Sequence, residues 1–184
     1  MGVPGVVLAY GPPPGLLDGT TLIDHAASAL RGSGVVVSVL VARGTSAHDS
    51  LHTALPALAG AELVVLHDAH RPLAPPELVV RVVDAVRSGA DAAVPVVEVT
   101  ETVKEVDAAG RIVRTVPREA LVQVQTPQAV RVAVLVAAHR DCAPGDPLLP
   151  ASARVVTVPG TPDAFAVRDG HDLALAAAVR AVRG

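Results

Sequence analysis

The chain has 184 residues, of which 51% are hydrophobic, and a formal net charge of −3 from 15 basic and 18 acidic side chains. This composition excludes a disordered chain, and one Tyr, one Phe and no Trp argue against a surface that binds nucleic acid. The single cysteine, Cys142, excludes an internal disulfide, and no apolar run reaches the roughly 18 residues of a membrane span. We expect a soluble, cytoplasmic protein with one domain over residues 1–184.

Apolar, β-branched segments alternate with segments of helical length through the first half of the chain. The predicted elements are strand Val3–Tyr10, helix Thr21–Leu30, strand Val35–Ala42, helix Asp49–Ala59, strand Leu63–Leu66, helix Pro75–Ser88 and strand Ala92–Val97. Strands that are apolar almost throughout are typical of parallel sheets covered on both faces. The pattern therefore predicts an α/β fold with a mostly parallel, twisted sheet and helices on both of its faces.

A polar excursion follows the fourth predicted strand. Segments Thr102–Val106 and Arg111–Val116 flank the turn sequence Asp-Ala-Ala-Gly and predict a hairpin. We expect residues 98–122 to project from the body as a β-arm. The remaining predicted elements are helix Val130–Asp141, strand Arg154–Val158 and helix His171–Arg183.

A dense polar cluster follows the third predicted strand, where open parallel sheets bind their ligands. In this position Asp68 can hold Mg²⁺, and Arg71 can meet a phosphate or a carboxylate. Equally, Asp68 can cap the next helix and pair with Arg71 across the turn. A transition-metal site built on His67 and His70 lacks a third ligand at a suitable spacing.

The loop after the first strand is poorly suited to hold phosphate groups. It reads Gly-Pro-Pro-Pro-Gly over residues 11–15, and proline has no N–H to donate. No lysine or arginine precedes Arg31. We therefore predict a short, rigid turn here rather than a triphosphate cradle.

A nucleophilic triad is not predicted. Ser50 has His48, Asp49 and His52 beside it, but these lie along one helix start and lack the Gly-x-Ser-x-Gly elbow. We expect Asp49 or Ser50 to cap the helix instead. Cys142 is not predicted to be reactive, because its surroundings are poor in basic residues.

Several motifs, in the same order along nearly the whole chain, resemble those of the 2-C-methyl-D-erythritol 4-phosphate cytidylyltransferase family. His67-Asp68-Ala69-His70-Arg71-Pro72 is similar to the family's His-Asp-Ala-Ala-Arg-Pro, and Gln125-Thr126-Pro127-Gln128 matches its Gln-Thr-Pro-Gln. Residues 100–104 resemble the family's Asp-Thr-x-Lys, residues 115–118 its Thr-Val-Asp-Arg, and residues 159–167 its Pro-Gly to Phe-Lys-Val segment. The resemblance implies a Rossmann-like nucleotidyltransferase fold.

The resemblance also implies a reaction of the isoprenoid precursor pathway. The phosphate of methylerythritol phosphate attacks the α-phosphorus of CTP, pyrophosphate leaves, and Mg²⁺ is the cofactor. By this resemblance Asp68 is a Mg²⁺ ligand, and Asp163 partly replaces an asparagine at the metal. Ser50 helps to hold the cytidine, and Gly44 of the same motif belongs to the substrate site.

The remaining site residues that the resemblance implies surround the second substrate. Arg71 lies at the substrate phosphate or the metal, and Thr126 lies beside the same substrate. Thr102 and Arg118 of the arm reach into the partner's site of a homodimer, where Arg118 positions the substrate phosphate. The arm is thus expected to be a dimerisation element.

The departures from the family pattern fall mainly on the triphosphate side. The family's first loop, Ala-Ala-Gly-x-Gly-x-Arg-Met followed by Pro-Lys, is reduced to Ala9-Tyr10-Gly11 and prolines, so its arginine and lysine have no counterparts. The positions of a further arginine, an asparagine, a lysine and an aspartate are held by Ala47, Ala164, Ala166 and Pro117. These losses predict impaired or absent catalysis.

Three alternatives remain open at the level of the sequence. The chain can be an active cytidylyltransferase in which Arg31, Arg43 or Arg168 replaces the missing cations. It can be a non-catalytic partner or regulatory subunit that keeps the dimer. It can also bind a different nucleotide or sugar phosphate, since a fold does not fix a function.

Overall fold

The computed structural model describes residues 2–141 and 153–183, so the expectation for Cys142 lies outside the described residues. In chain order its strands and helices are β1 (Val3–Tyr10), β2 (Leu16–Leu17), β3 (Thr20–Thr21), α1 (Leu22–Gly32), β4 (Val36–Gly44), α2 (Ala47–Ala54), β5 (Leu63–Asp68), α3 (Pro76–Arg87), β6 (Ala92–Glu98), β7 (Val103–Val106), β8 (Ile112–Val116), β9 (Val122–Val124), β10 (Gln128–Arg131), α4 (Val132–Asp141), β11 (Val155–Pro159) and α5 (Gly170–Arg183). Short 3₁₀ turns follow α2 and β8.

The main sheet has the strand order β11-β6-β10-β5-β1-β4, with β9 added beside β6. Strand β1 runs parallel to β4 and β5, and β11 runs parallel to β6. Strand β10 is antiparallel to β5 and β6, and β9 is antiparallel to β6. The mostly parallel α/β architecture predicted from the sequence is confirmed.

Helices cover both faces of this sheet because the side chains of β1 alternate between two apolar cores. Val7 and Ala9 pack with the buried faces of α1 and α3. Val6 and Leu8 pack on the opposite face with α2 and α4. Among the described residues, no helix is both long enough and apolar enough to cross a membrane.

Two helices, α2 and α4, begin two residues away from their predicted starts. The helix predicted at Val130 starts at Val132, because residues 128–131 form β10, whose Ala129 and Val130 are completely buried between β5 and β6. Helix α2 starts at Ala47, and the side chain of Ser46 accepts the N–H of Asp49. The expectation that Asp49 or Ser50 caps this helix is therefore wrong.

The predicted hairpin is confirmed as β7 and β8, which pair with each other in a separate two-stranded sheet. Its apolar side chains are only partly buried by the rest of the described chain. Val106, Ile112 and Val113 are each more than half exposed. The arm thus presents apolar surface that the described chain does not bury.

Candidate functional site

A cavity of about 450 Å³ opens at the carboxyl ends of β1, β4 and β5. Its walls are the ends of these strands, the loop after β1 and the start of α1. The described residues that line it are Ala9, Tyr10, Gly11, Pro13, Gly15, Leu16, Thr21, Leu22, Ile23, Arg43, Gly44, Ala69 and His70. The cavity therefore lies where the sheet topology places a ligand site.

The loop after β1 forms one wall of this cavity as a short turn. Gly11 and Gly15 have φ angles of 67° and 146°, which a residue with a side chain rarely adopts. Pro13 lies between them on the cavity wall. Arg43, at the end of β4, is the one lysine or arginine among the described residues that line the cavity.

The carboxylate of Asp68, at the end of β5, is held by hydrogen bonds at both of its oxygen atoms. The Tyr10 hydroxyl donates to Oδ2 at 2.7 Å, while the main-chain N–H and the ring Nδ1 of His70 each lie 2.9 Å from Oδ1. Burial by itself would raise the pKa of Asp68, but the hydrogen bonds from His70 and Tyr10 outweigh it and lower this pKa. Asp68 is therefore an ionised carboxylate whose charge is satisfied inside the protein.

The hydrogen bond between Tyr10 and Asp68 also affects the pKa of Tyr10. Burial raises the pKa of Tyr10 above its ordinary value, and the negative charge of Asp68 raises it further. The ring of Tyr10 also lies against that of His70, with 5.0 Å between the ring centroids. Tyr10, Asp68 and His70 form a compact polar cluster, which we call the Asp68 cluster, beside the cavity.

The described residues do not present a preformed magnesium site. No group of three or more histidine, cysteine, aspartate or glutamate side chains in the described segments is arranged to hold a metal ion. Both oxygen atoms of Asp68 already accept hydrogen bonds, and Asp163 borders α5 rather than lining the cavity. An ion at Asp68 would have to compete with Tyr10 and His70 for this carboxylate.

Arg71 is buried and its guanidinium is held by main-chain carbonyls. It donates to the oxygen of Ala164 at 2.5 Å and to that of Val124 at 3.2 Å. Burial lowers the pKa of Arg71, whereas the nearby charge of Asp68 acts in the opposite direction. The reading in which Asp68 caps the next helix and pairs with Arg71 is wrong, because α3 starts after Pro75 and both side chains have other partners.

Thr126 joins the segment before β10 to the end of β5. Its hydroxyl accepts the main-chain N–H of Asp68 at 3.0 Å and lies 2.9 Å from the ring Nδ1 of His67. His67 is completely buried, and this burial lowers its pKa to about 4. Sequence reasoning therefore identified two residues, Asp68 and Thr126, that the fold brings into contact.

Ser50 and Gly44 hold α2 against the ends of β1 and β4. The fully buried hydroxyl of Ser50 lies 3.1 Å from the carbonyl oxygen of Ala9 and 2.9 Å from that of Ser46. A Cβ atom on Gly44 would lie 2.4 Å from the main-chain nitrogen of Ser50, so only glycine permits this approach. Gly44 lines the cavity and Ser50 lies behind its wall.

Comparison with known proteins gives the family of this chain. The model of the family described as 2-C-methyl-D-erythritol 4-phosphate cytidylyltransferase matches residues 19–181. The chain belongs to this family.

Named relatives agree with this assignment. A 2-C-methyl-D-erythritol 4-phosphate cytidylyltransferase of Frankia casuarinae is 46% identical over 167 residues, which are 88% of this chain and 61% of the relative. The enzyme of that name from Saccharopolyspora erythraea is 37% identical over 96% of this chain and 95% of its own. This chain thus spans less than two thirds of the Frankia relative and nearly all of the other.

A solved structure from the same family shares the fold. The crystal structure of the Thermus thermophilus cytidylyltransferase superposes with a TM-score of 0.82 at 32% identity, over 97% of this chain and 98% of that one. The match to the family model begins at residue 19, after β1 and the short loop that follows it. The region outside this match contains the largest departure from the family's motifs.

The Asp68 cluster is a second departure from the motifs of the cytidylyltransferase family. Tyr10 and His70 stand where the family patterns Ala-Ala-Gly and His-Asp-Ala-Ala-Arg-Pro have alanine. An alanine side chain cannot donate a hydrogen bond to Asp68, whereas both replacements do. From the sequence, His70 was considered only as a metal ligand and Tyr10 was not considered at all, although comparison of the motifs position by position marks both.

The two arm residues implied by the resemblance, Thr102 and Arg118, are exposed and do not line the cavity of their own chain. Thr102 lies at the start of the arm, and Arg118 contacts the carbonyl oxygen of Thr100 at 3.4 Å and the carboxylate of Glu119 at 3.7 Å. Neither is among the described residues that line the cavity. Their substrate roles remain predictions that require a second chain.

The burial of His67 predicts a pH dependence of stability. Its pKa is about 4 in the folded protein and about 6.5 when exposed, so the unfolded chain binds a proton more readily as the pH falls from 6.5 towards 4. Lowering the pH from 7.5 to 5 should therefore reduce the free energy of unfolding by about 2 kcal/mol through this group. The free energy of unfolding, measured with urea, should differ less between these two pH values for His67→Gln than for the parent chain. Equal differences in the two proteins would contradict the prediction.

Proposed function

We propose that this chain is a degenerate cytidylyltransferase homologue, in which transfer of the cytidylyl group from CTP to methylerythritol phosphate is impaired or lost. The observation that carries the proposal is the charge around the cavity. Arg43 is the one lysine or arginine among the described residues that line it, and the turn that replaces the family's first loop has prolines at residues 12–14.

The reaction requires positive charge that this cavity does not supply. A triphosphate carries about four negative charges, and charge develops on the leaving pyrophosphate during transfer. Removing one donor that stabilises such charge typically costs about 10²–10³ in rate. Several such groups are absent here, and because groups in one site do not act independently their effects cannot simply be multiplied.

The Asp68 cluster adds a second obstacle. Mg²⁺, which would arrive with the nucleotide and neutralise phosphate charge, has Asp68 as its implied ligand. Three hydrogen bonds already use most of the acceptor positions of this carboxylate, so the ion would compete with their donors. A hydrogen bond to a charged group contributes about 1.5–3 kcal/mol, so the ion would bind more weakly than at a free carboxylate.

A second candidate function is an active cytidylyltransferase that uses other basic residues. Arg43 lines the cavity directly. Arg168 is close enough to Tyr10 and Arg71 for its charge to lower the pKa of both groups. These two arginines are therefore the residues to test for a substitute role.

Pyrophosphate release from CTP, methylerythritol phosphate and Mg²⁺ tests the two candidates. We expect this chain to release pyrophosphate at least about 100-fold more slowly than the 2-C-methyl-D-erythritol 4-phosphate cytidylyltransferase of Streptomyces avermitilis, which is 39% identical to it. The reason is that cations are missing from the cavity. The Asp68→Ala variant should reduce the residual rate little. A rate similar to that of the relative, abolished by Asp68→Ala and strongly reduced by Arg43→Ala or Arg168→Ala, would establish the second candidate instead.

Removing the side-chain hydrogen-bond donors to the Asp68 carboxylate should strengthen nucleotide binding. In the double variant Tyr10→Phe with His70→Ala, Asp68 loses both side-chain donors while the Tyr10 ring remains. We expect Mg²⁺-dependent CTP binding, measured by calorimetry, to become at least about tenfold tighter, as the loss of one competing hydrogen bond predicts. The triple variant that also carries Asp68→Asn should lose this gain. Equal affinities in the parent and the double variant would contradict the role of the cluster.

We also propose that two copies of the chain form a homodimer through the arm, residues 98–122. The support is the apolar surface of Val106, Ile112 and Val113, together with the exposure of Thr102 and Arg118, which do not line the cavity of their own chain. Exposed apolar patches of this kind mark interaction surfaces. The dimer would bring these arm residues to the cavity of the partner.

Light scattering at micromolar concentration should therefore give the mass of a dimer. A charge at Val106 on the arm should weaken association by about tenfold or more, because Val106→Asp places a carboxylate in the proposed interface. Val182→Asp is the matched control, since Val182 is 89% exposed on α5 and lies outside the arm. A monomeric mass for the parent chain would contradict both the dimer and the role of Arg118 in a partner's site.

A further inference from the structure

The cavity at the carboxyl ends of β1, β4 and β5 has walls that are mostly apolar. Leu16, Leu22 and Ile23 line it together with Pro13 and two alanines. Leu16 is more than half exposed, so part of this apolar wall is not covered by the described chain. The volume of about 450 Å³ is that of a site for one small molecule. Such walls favour a ligand with an apolar body, because burial of apolar surface drives association.

The polar side chains on the same walls already have hydrogen-bond partners inside the protein. The Tyr10 hydroxyl and the His70 ring are bonded to Asp68. The Thr21 hydroxyl donates to the carboxylate of Asp24 at 2.6 Å. The prolines at residues 12–14 add no N–H groups. A ligand rich in hydroxyl groups would therefore find few free partners here, which argues against a sugar as the body of the ligand.

Arg43 is the exception on these walls. It is the one lysine or arginine among the described lining residues, which include no aspartate or glutamate. Its guanidinium has no hydrogen bond or ion pair within the described part of the chain. A guanidinium presents a planar fork of donors that matches the two oxygen atoms of a carboxylate. The lining thus offers a single positive charge whose donors are free.

We propose that this cavity binds an apolar carboxylate, with its hydrocarbon body against Leu16, Leu22 and Ile23 and its carboxylate on Arg43. A phosphate monoester fits this charge less well, because it carries about 1.5–2 negative charges at pH 7. The inference rests on the proposed function, since it requires that CTP with Mg²⁺ does not hold the cavity.

Tyr10 gives a spectroscopic signal from the cavity itself. It is the only tyrosine of the chain, which has no tryptophan. Its side chain belongs to a residue that lines the cavity. A change in tyrosine fluorescence during a titration therefore reports on this wall.

The experiment titrates decanoate, below its micellar concentration, into the full chain in buffer without nucleotide. It follows the fluorescence of Tyr10 and the heat of binding. We expect one decanoate per chain, bound about tenfold more tightly than octanoate, because each buried CH₂ group contributes about fourfold to affinity. Decyl phosphate should bind more weakly than decanoate.

Two variants with matched controls locate the site. Arg43→Gln should weaken decanoate binding by about tenfold or more, because it removes hydrogen bonds between two charged groups. Arg31→Gln, which changes an exposed arginine at the end of α1, should leave the affinity unchanged. Leu16→Asp should also weaken binding about tenfold, since it places a like charge on the wall. Val37→Asp is its control, because Val37 is a largely exposed residue of β4 that does not line the cavity.

Circular dichroism checks that each variant is folded. The absence of saturable one-to-one binding of decanoate by the parent chain would overturn the inference. Binding that Arg43→Gln and Leu16→Asp leave unchanged would overturn it equally, and so would tighter binding of decyl phosphate than of decanoate.

The pyrophosphate assay on the same preparation separates this inference from the proposed function. Slow release of pyrophosphate by a chain that does not bind decanoate would contradict the inference alone. Release as fast as that of the Streptomyces avermitilis relative, by a chain that does bind decanoate, would contradict the proposed function instead.

Discussion

The partly buried, ionised carboxylate of Asp68 is the constraint around which the carboxyl edge of the sheet is organised. A charge in this position needs hydrogen-bond donors, and the fold supplies them from β1 through Tyr10 and from its own turn through His70. Because Leu8 of β1 pairs in register with Asp68 of β5, Tyr10 extends just far enough to reach the carboxylate. The same edge forms the cavity, so the interaction that satisfies the charge also shapes the site.

The sequence predicts the architecture well where one element carries its own signal. Long apolar strands such as Val3–Tyr10 and capped helices such as that beginning after Thr21 are marked by local pattern. The strands β9 and β10 are only three and four residues long and exist because they pair with β6. Their pairing depends on residues far along the chain, which no local pattern describes.

The residues of the candidate site were predictable from the sequence to the same degree as the architecture, and for the same reason. The motif around Asp68 and the later Thr126 both carry recognisable patterns, and the fold joins them. The contact between Tyr10 and Asp68 spans 58 positions and depends on strand register. This contact has no signature within a short stretch of sequence.

The missing cations and the Asp68 cluster are physically related. In a site that binds a triphosphate with a metal ion, the ion itself would satisfy a carboxylate such as Asp68. If the first loop no longer holds the triphosphate, the ion has fewer ligands, and Asp68 would remain as a partly buried, poorly compensated charge. Donors from Tyr10 and His70 reduce that cost. Under the proposed function, the two departures from the family pattern would therefore act in the same direction, towards a stable protein with weakened transfer chemistry.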